Sequence, residues 1–88
     1  MHKLYFSFSD SLESYERAIV IEQMREWMTE HDYKHVTSDT MVWNHLHGSP
    51  KRYFRIRESA ENARQYVVTC SHSEVLIHFK LRWSDYWV

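Results

Sequence analysis

Lys51, Tyr53, Arg55 and Arg57 recur at every second position, directly after Gly48-Ser49-Pro50, which holds the only glycine and the only proline of the chain. Side chains alternate across a strand, so this spacing puts three cations and a phenol on one side and Arg52, Phe54, Ile56 and Glu58 on the other. Cations in a row repel one another, and such a face suits an anion; phosphate is the commonest that also takes an aromatic neighbour. A second alternation, Val75, Ile77, Phe79, Leu81 and Trp83, leaves Leu76, His78, Lys80 and Arg82 opposite. Read as a strand, it brings His78, Lys80 and Arg82 to the same basic face. Arg64 can join at the start of the strand between, and Tyr86 can reach over from the C-terminal end. Together these are the parts needed to cut RNA with its own 2′-hydroxyl: a base, an acid, and cations that hold the phosphate as charge builds on its oxygens. Arginine suits the last task, being always charged and able to grip two oxygens at once.

The elements that would position these groups follow from periodicity. Lys3 to Phe8 alternates as a strand with Leu4, Phe6 and Phe8 on one side. Asp10 followed by Glu13 resembles a capping box and opens a helix that continues to about Glu30. Its apolar stripe slips from Leu12, Tyr15 and Ile19 to Val20, Met24, Trp27 and His31, which predicts a kink or two successive helices near residues 18 to 21. Residues 31 to 38 read as a connection, 40 to 46 as strand or loop, and Arg52 to Glu58 as a strand. A polar turn at 59 to 62 leads to a strand over Arg64 to Cys70. A helix over 58 to 68 is the alternative there, but Tyr66-Val67-Val68-Thr69-Cys70 is β-branched and aromatic. If Arg64 joins the basic face, parity takes Tyr66, Val68 and Cys70 there too. The expected fold is α+β: an N-terminal strand, one or two helices, then an antiparallel four-stranded meander with the helices on one face and the other face partly open.

Eighty-eight residues make one domain over 1 to 88, and four Trp, six Tyr and four Phe supply much buried area for that size. One cysteine, Cys70, cannot form an internal disulfide; with no signal-peptide pattern and no bilayer-length apolar run, the expectation is a cytoplasmic protein without a membrane partner. The net charge of −1 hides a polarity. Residues 1 to 40 carry four Lys/Arg against eight Asp/Glu, and residues 41 to 88 carry seven against four. An acidic helical half and a basic sheet half suit one anion-facing surface.

Asn44-His45-Leu46-His47-Gly48-Ser49-Pro50, followed by Phe54-Arg55-Ile56-Arg57, resembles the RelE branch of the RelE/ParE toxin superfamily. Those toxins share an N-x-L-x-G-x-P segment leading into a strand of the form aromatic-basic-Ile-basic. Arg64-Gln65-Tyr66-Val67-Val68 is similar to a further strand of that family, and Arg82 with Asp85-Tyr86 to its terminal element. The resemblance implies a metal-independent endoribonuclease toxin, without cofactors, that cleaves mRNA in the ribosomal A site and is neutralised by a cognate antitoxin. It implies that Arg55, Arg57 and Arg64 grip the scissile phosphate, that Arg82 is a further transition-state cation or acid, and that Tyr86 is the candidate base. Lys51, Tyr53, His78 and Lys80 would bind the RNA around them.

Plainer readings stand beside these. His45 and His47 lack a cysteine or carboxylate at ligand spacing, so no metal site is expected. Cys70 reads as a small buried hydrophobe and Trp27, Trp43, Trp83 and Trp87 as packing, with Trp87 able to stack on a base. Cations on an edge strand also discourage edge pairing. The alternative function is a non-catalytic ParE-like or phage-type inhibitor that binds a protein target through its open sheet face.

Overall fold

The computed structural model describes residues 2–36, 52–62 and 64–88. The Asn44–Pro50 segment, Trp43 and Lys51 lie outside them. Among the described residues the chain runs β1 (His2–Ser7), α1 (Ser14–Glu30), β2 (Lys34–His35), β3 (Tyr53–Glu58), β4 (Gln65–Cys70) and α2 (Ser73–Trp83), and closes with a 3₁₀ turn at Ser84–Tyr86. The sheet order is β1-β4-β3-β2. β4 pairs antiparallel with both β1 and β3, whereas β2 pairs parallel with β3 through Lys34 beside Tyr53 and His35 beside Phe54. The α+β class is as expected, but the sheet is mixed and the meander is not.

The largest departure is the last alternating segment, which is the helix α2 and not a strand. Val75, Leu76, Phe79 and Trp83 are buried, at offsets of 0, 1, 4 and 8. α1 buries Val20, Ile21, Met24 and Met28 at the same offsets. This is the stripe of a helix, not the period of a strand. In the strand reading Leu76 sat among His78, Lys80 and Arg82, where burial would have been costly. Glu74 in the first turn and Lys80 and Arg82 in the last also complement the helix dipole. Ile77 and Leu81, which completed the apparent alternation, are exposed.

α1 is a single helix, without the predicted break. The apparent slip in its stripe arises because Tyr15 and Ile19 point to solvent and never belonged to the core. It starts at Ser14, after an N-cap Glu13 that makes no side-chain capping bond, so Asp10 and Glu13 form no capping box. Its end is sharper: Asp32 takes φ 65°, and the amides of Asp32 and Tyr33 donate to the carbonyls of Thr29 and Met28. That double bond is a Schellman closure, with Met28 and Tyr33 both buried beneath it.

Both helices pack on the sheet face that carries Phe6, Phe54, Ile56 and Val68. Phe79 lies at the centre, with ring centroids 5.9 Å from Trp27, 6.4 Å from Phe6 and 6.0 Å from Trp87. Trp87 stacks on Phe6 at 4.5 Å, and the Val88 amide donates to the Ser7 carbonyl, so the C-terminal residues close over the end of β1. The opposite sheet face is not open across its width. Thr69 and Arg55 are 2% and 8% exposed and Val67 is 6% exposed, so its centre is closed to solvent. No helix of the described residues is long and apolar enough to cross a membrane.

Candidate functional site

β3 keeps the expected parity. Phe54 and Ile56 enter the core; Tyr53, Arg55 and Arg57 point to the face away from the helices. Cross-strand pairing extends that face in two rows, Lys3–Thr69–Arg55 and Tyr5–Val67–Arg57. Lys3, Tyr5 and Arg57 are exposed, while Arg55, at the β3 end of its row, is buried. Arg55 is thus enclosed, whereas Arg57, two positions on along the same face, reaches the surface.

The register also decides Arg64. Tyr66, Val68 and Cys70 face the helices, and Gln65, Val67 and Thr69 share the Arg55 side. Arg64 lies in the turn before β4, where its amide donates to Asn62 Oδ1, and its guanidinium is 3.8 Å from Asp10. Both side chains are highly exposed, so this pair contributes little to stability. With Phe8, Leu12 and Arg17 they line a hollow of ≈ 350 Å³ at the start of α1.

Because residues 75 to 83 are helical, His78, Lys80, Arg82 and Tyr86 do not join the basic face. They belong to the helical layer, across the sheet from Arg55 and Arg57. Arg82 and Tyr86 do stand together. They line a groove of ≈ 380 Å³ with Trp83 and, from α1, Gln23, Glu26, Trp27 and Glu30. The Arg82 guanidinium lies 4.2 Å over the Trp83 ring, a stacked geometry available to arginine. Glu26 and Glu30 are the groups that sequence reasoning missed here. Their spacing of four placed them on one helix face, but nothing set that face against Arg82 until α2 was a helix.

On the other side of the same glutamates, Glu22, Arg25, Thr29 and His35 complete a second groove of ≈ 390 Å³. Arg25 pairs with Glu22 at 3.1 Å. Burial, then the nearby Arg25, pushes the His35 pKa down, partly opposed by Glu22. Burial likewise pushes the Tyr66 hydroxyl up, helped by Glu58, to which it donates a hydrogen bond. Cys70 is fully enclosed and its thiol is pushed up by burial, the setting of an inert packing residue. Among the described residues no group of three or more His, Cys, Asp or Glu could hold a metal ion.

The residues singled out from the sequence thus do not converge: Arg55 and Arg57 lie on the sheet face away from the helices, Arg64 in the turn beside Asp10, Arg82 and Tyr86 in the groove between α1 and α2, and His78 and Lys80 on α2 outside that groove. No family model, curated protein or solved structure matches this chain.

Proposed function

We propose that this chain is a small binding protein of the inhibitor type, acting by covering a surface of a protein target without chemistry of its own. The observation that carries the reading is the separation of Arg55 and Arg57 from Arg82 and Tyr86 by the full thickness of the sheet. Transition-state stabilisation of a phosphate needs its cations and proton carriers within contact of one group of atoms. Docking has no such requirement. Lys3, Tyr5 and Arg57 stay exposed on the face away from the helices, and a phenol flanked by cations suits an acidic protein surface, where Tyr and Arg contribute most.

The test has two arms. Purified protein is incubated with programmed ribosomes and the mRNA read by primer extension; intact mRNA is expected. A cut in the A-site codon would sink the non-catalytic reading. In cells, a photo-reactive residue in place of Tyr5 is expected to cross-link one protein, and Lys3→Glu/Arg57→Glu to abolish that product.

A ribonuclease reading keeps one observation in its favour. Arg82 and Tyr86 share their groove with Glu26 and Glu30, which supply the carboxylate base that arginine, with its high pKa, cannot be. As a ribosome-dependent mRNA interferase held in check by an antitoxin, the chain would do its chemistry there. The same cleavage assay separates this version from the resemblance: cutting lost in Glu30→Gln or Tyr86→Phe but kept in Arg57→Ala assigns it to the groove.

A further inference from the structure

Among the described residues, the large hydrophobic side chains left exposed include two pairs at helical spacing of four. Tyr15 and Ile19 on α1 are 62% and 53% exposed; Ile77 and Leu81 on α2 are 63% and 74% exposed. Each pair lies opposite its helix's buried stripe, so each helix carries a second, outward apolar stripe that the monomer leaves in water. The charges beside them differ in sign. On α1 the stripe continues into Glu22, Glu26 and Glu30, again at spacing four, and the last turn of that helix holds no basic residue. Like charges at this spacing repel, and carboxylates at a helix C-terminus oppose its dipole. On α2 the stripe is flanked by His78 and Lys80, while Arg82, also in the last turn, lies in the groove toward α1.

We propose that the outward faces of α1 and α2 are an interface with a second copy of this chain. The α2 face of one copy meets the α1 face of the other. Ile77 and Leu81 pack on Tyr15 and Ile19, and Lys80 is set against the Glu22–Glu26–Glu30 row. A two-fold axis makes both contacts twice, because the same chain carries both complementary faces. Within one copy Glu22 pairs with Arg25, and Glu26 and Glu30 share a groove with Arg82; across the interface Lys80 adds a further positive charge beside this row of three carboxylates. This interface lies across the sheet from Lys3, Tyr5 and Arg57, so it leaves the face assigned above to a target uncovered.

Sedimentation velocity across a concentration series is the test. A reversible dimer is expected, weakened by salt as charge-assisted contacts are. Lys80→Glu and Glu26→Lys are each expected to raise the dissociation constant roughly tenfold, and their combination to restore it by swapping the charges. Ile77→Asp/Leu81→Asp is expected to give monomer with an unchanged circular-dichroism spectrum. A wild-type chain that stays monomeric throughout would overturn the proposal and leave these faces to a different partner. So would a dimer indifferent to the charge swap and to the Ile77/Leu81 double variant.

Discussion

Arg55 and Arg57 have the same type, strand and face, two positions apart, yet one is enclosed and the other is wet. Position along the strand separates them: both lie level with a buried residue of β4, Thr69 and Val67, but Arg55 is at mid-strand and Arg57 is next to the last residue of β3. The same logic applies to His35, half-buried beside Arg25 with its ring 5.1 Å from Phe54. Burial and the neighbouring guanidinium both disfavour its charged form, so the folded chain binds that proton less readily than the unfolded chain. The contribution of His35 to stability is therefore fully present above the ordinary histidine pKa of about 6.5 and is lost as pH falls from there through its lowered folded value. Thermal melts between about pH 7.5 and 5.5 should show a falling midpoint, with a shallower fall in His35→Gln. Equal slopes in the two proteins would remove His35 as the cause.

At the scale of elements, helix ends and helix stripes explain where the chain turns. The Schellman closure of α1 demands a left-handed residue, and Asp32 occupies it at the cost that any Cβ incurs there. Glycine has no such cost, so Asp32→Gly is expected to stabilise the fold by up to about 1 kcal/mol, read as a higher midpoint in thermal unfolding. Asp32→Val, β-branched and poor in that region, should lower it instead. α2 shows how an element can carry two periods at once. Val75, Ile77, Phe79, Leu81 and Trp83 alternate, but Val75, Leu76, Phe79 and Trp83 are the residues with a core to enter.

Over the whole molecule, one aromatic cluster joins β1, both helices and the C-terminal residues. Phe79 touches the rings of Phe6, Trp27, Trp83 and Trp87 and is fully buried. Phe79→Ala is expected to cost about 3–5 kcal/mol, a large share of what a domain of this size holds. Ile77→Ala, two residues away and exposed, should cost the dissociated monomer less than about 0.5 kcal/mol. Urea titration of both variants checks the pair together. Similar losses would mean that Ile77 and Phe79 share one buried face, as in a strand.

Local pattern was enough, to within a residue at each end, for the first strand and for the strands read over 52–58 and 64–70, and for the end of α1 at Glu30. The period of two and the run of helix formers are local properties that mark the element type wherever it packs. The inward parity of Phe54 and Ile56 and the inert character of Cys70 were legible for the same reason. Tertiary structure decided the rest. Whether residues 75 to 83 became strand or helix depended on the neighbours available to Phe79 and Trp83. The parallel pairing of β2 needed only two residues, too few to leave a period. Whether Arg55, Arg64, Arg82 and Tyr86 formed one site depended on which side of the sheet each element packed. Spacing along a chain records which residues can share a face of their own element. It does not record which faces meet, because that is set by the burial of apolar area between elements distant in sequence.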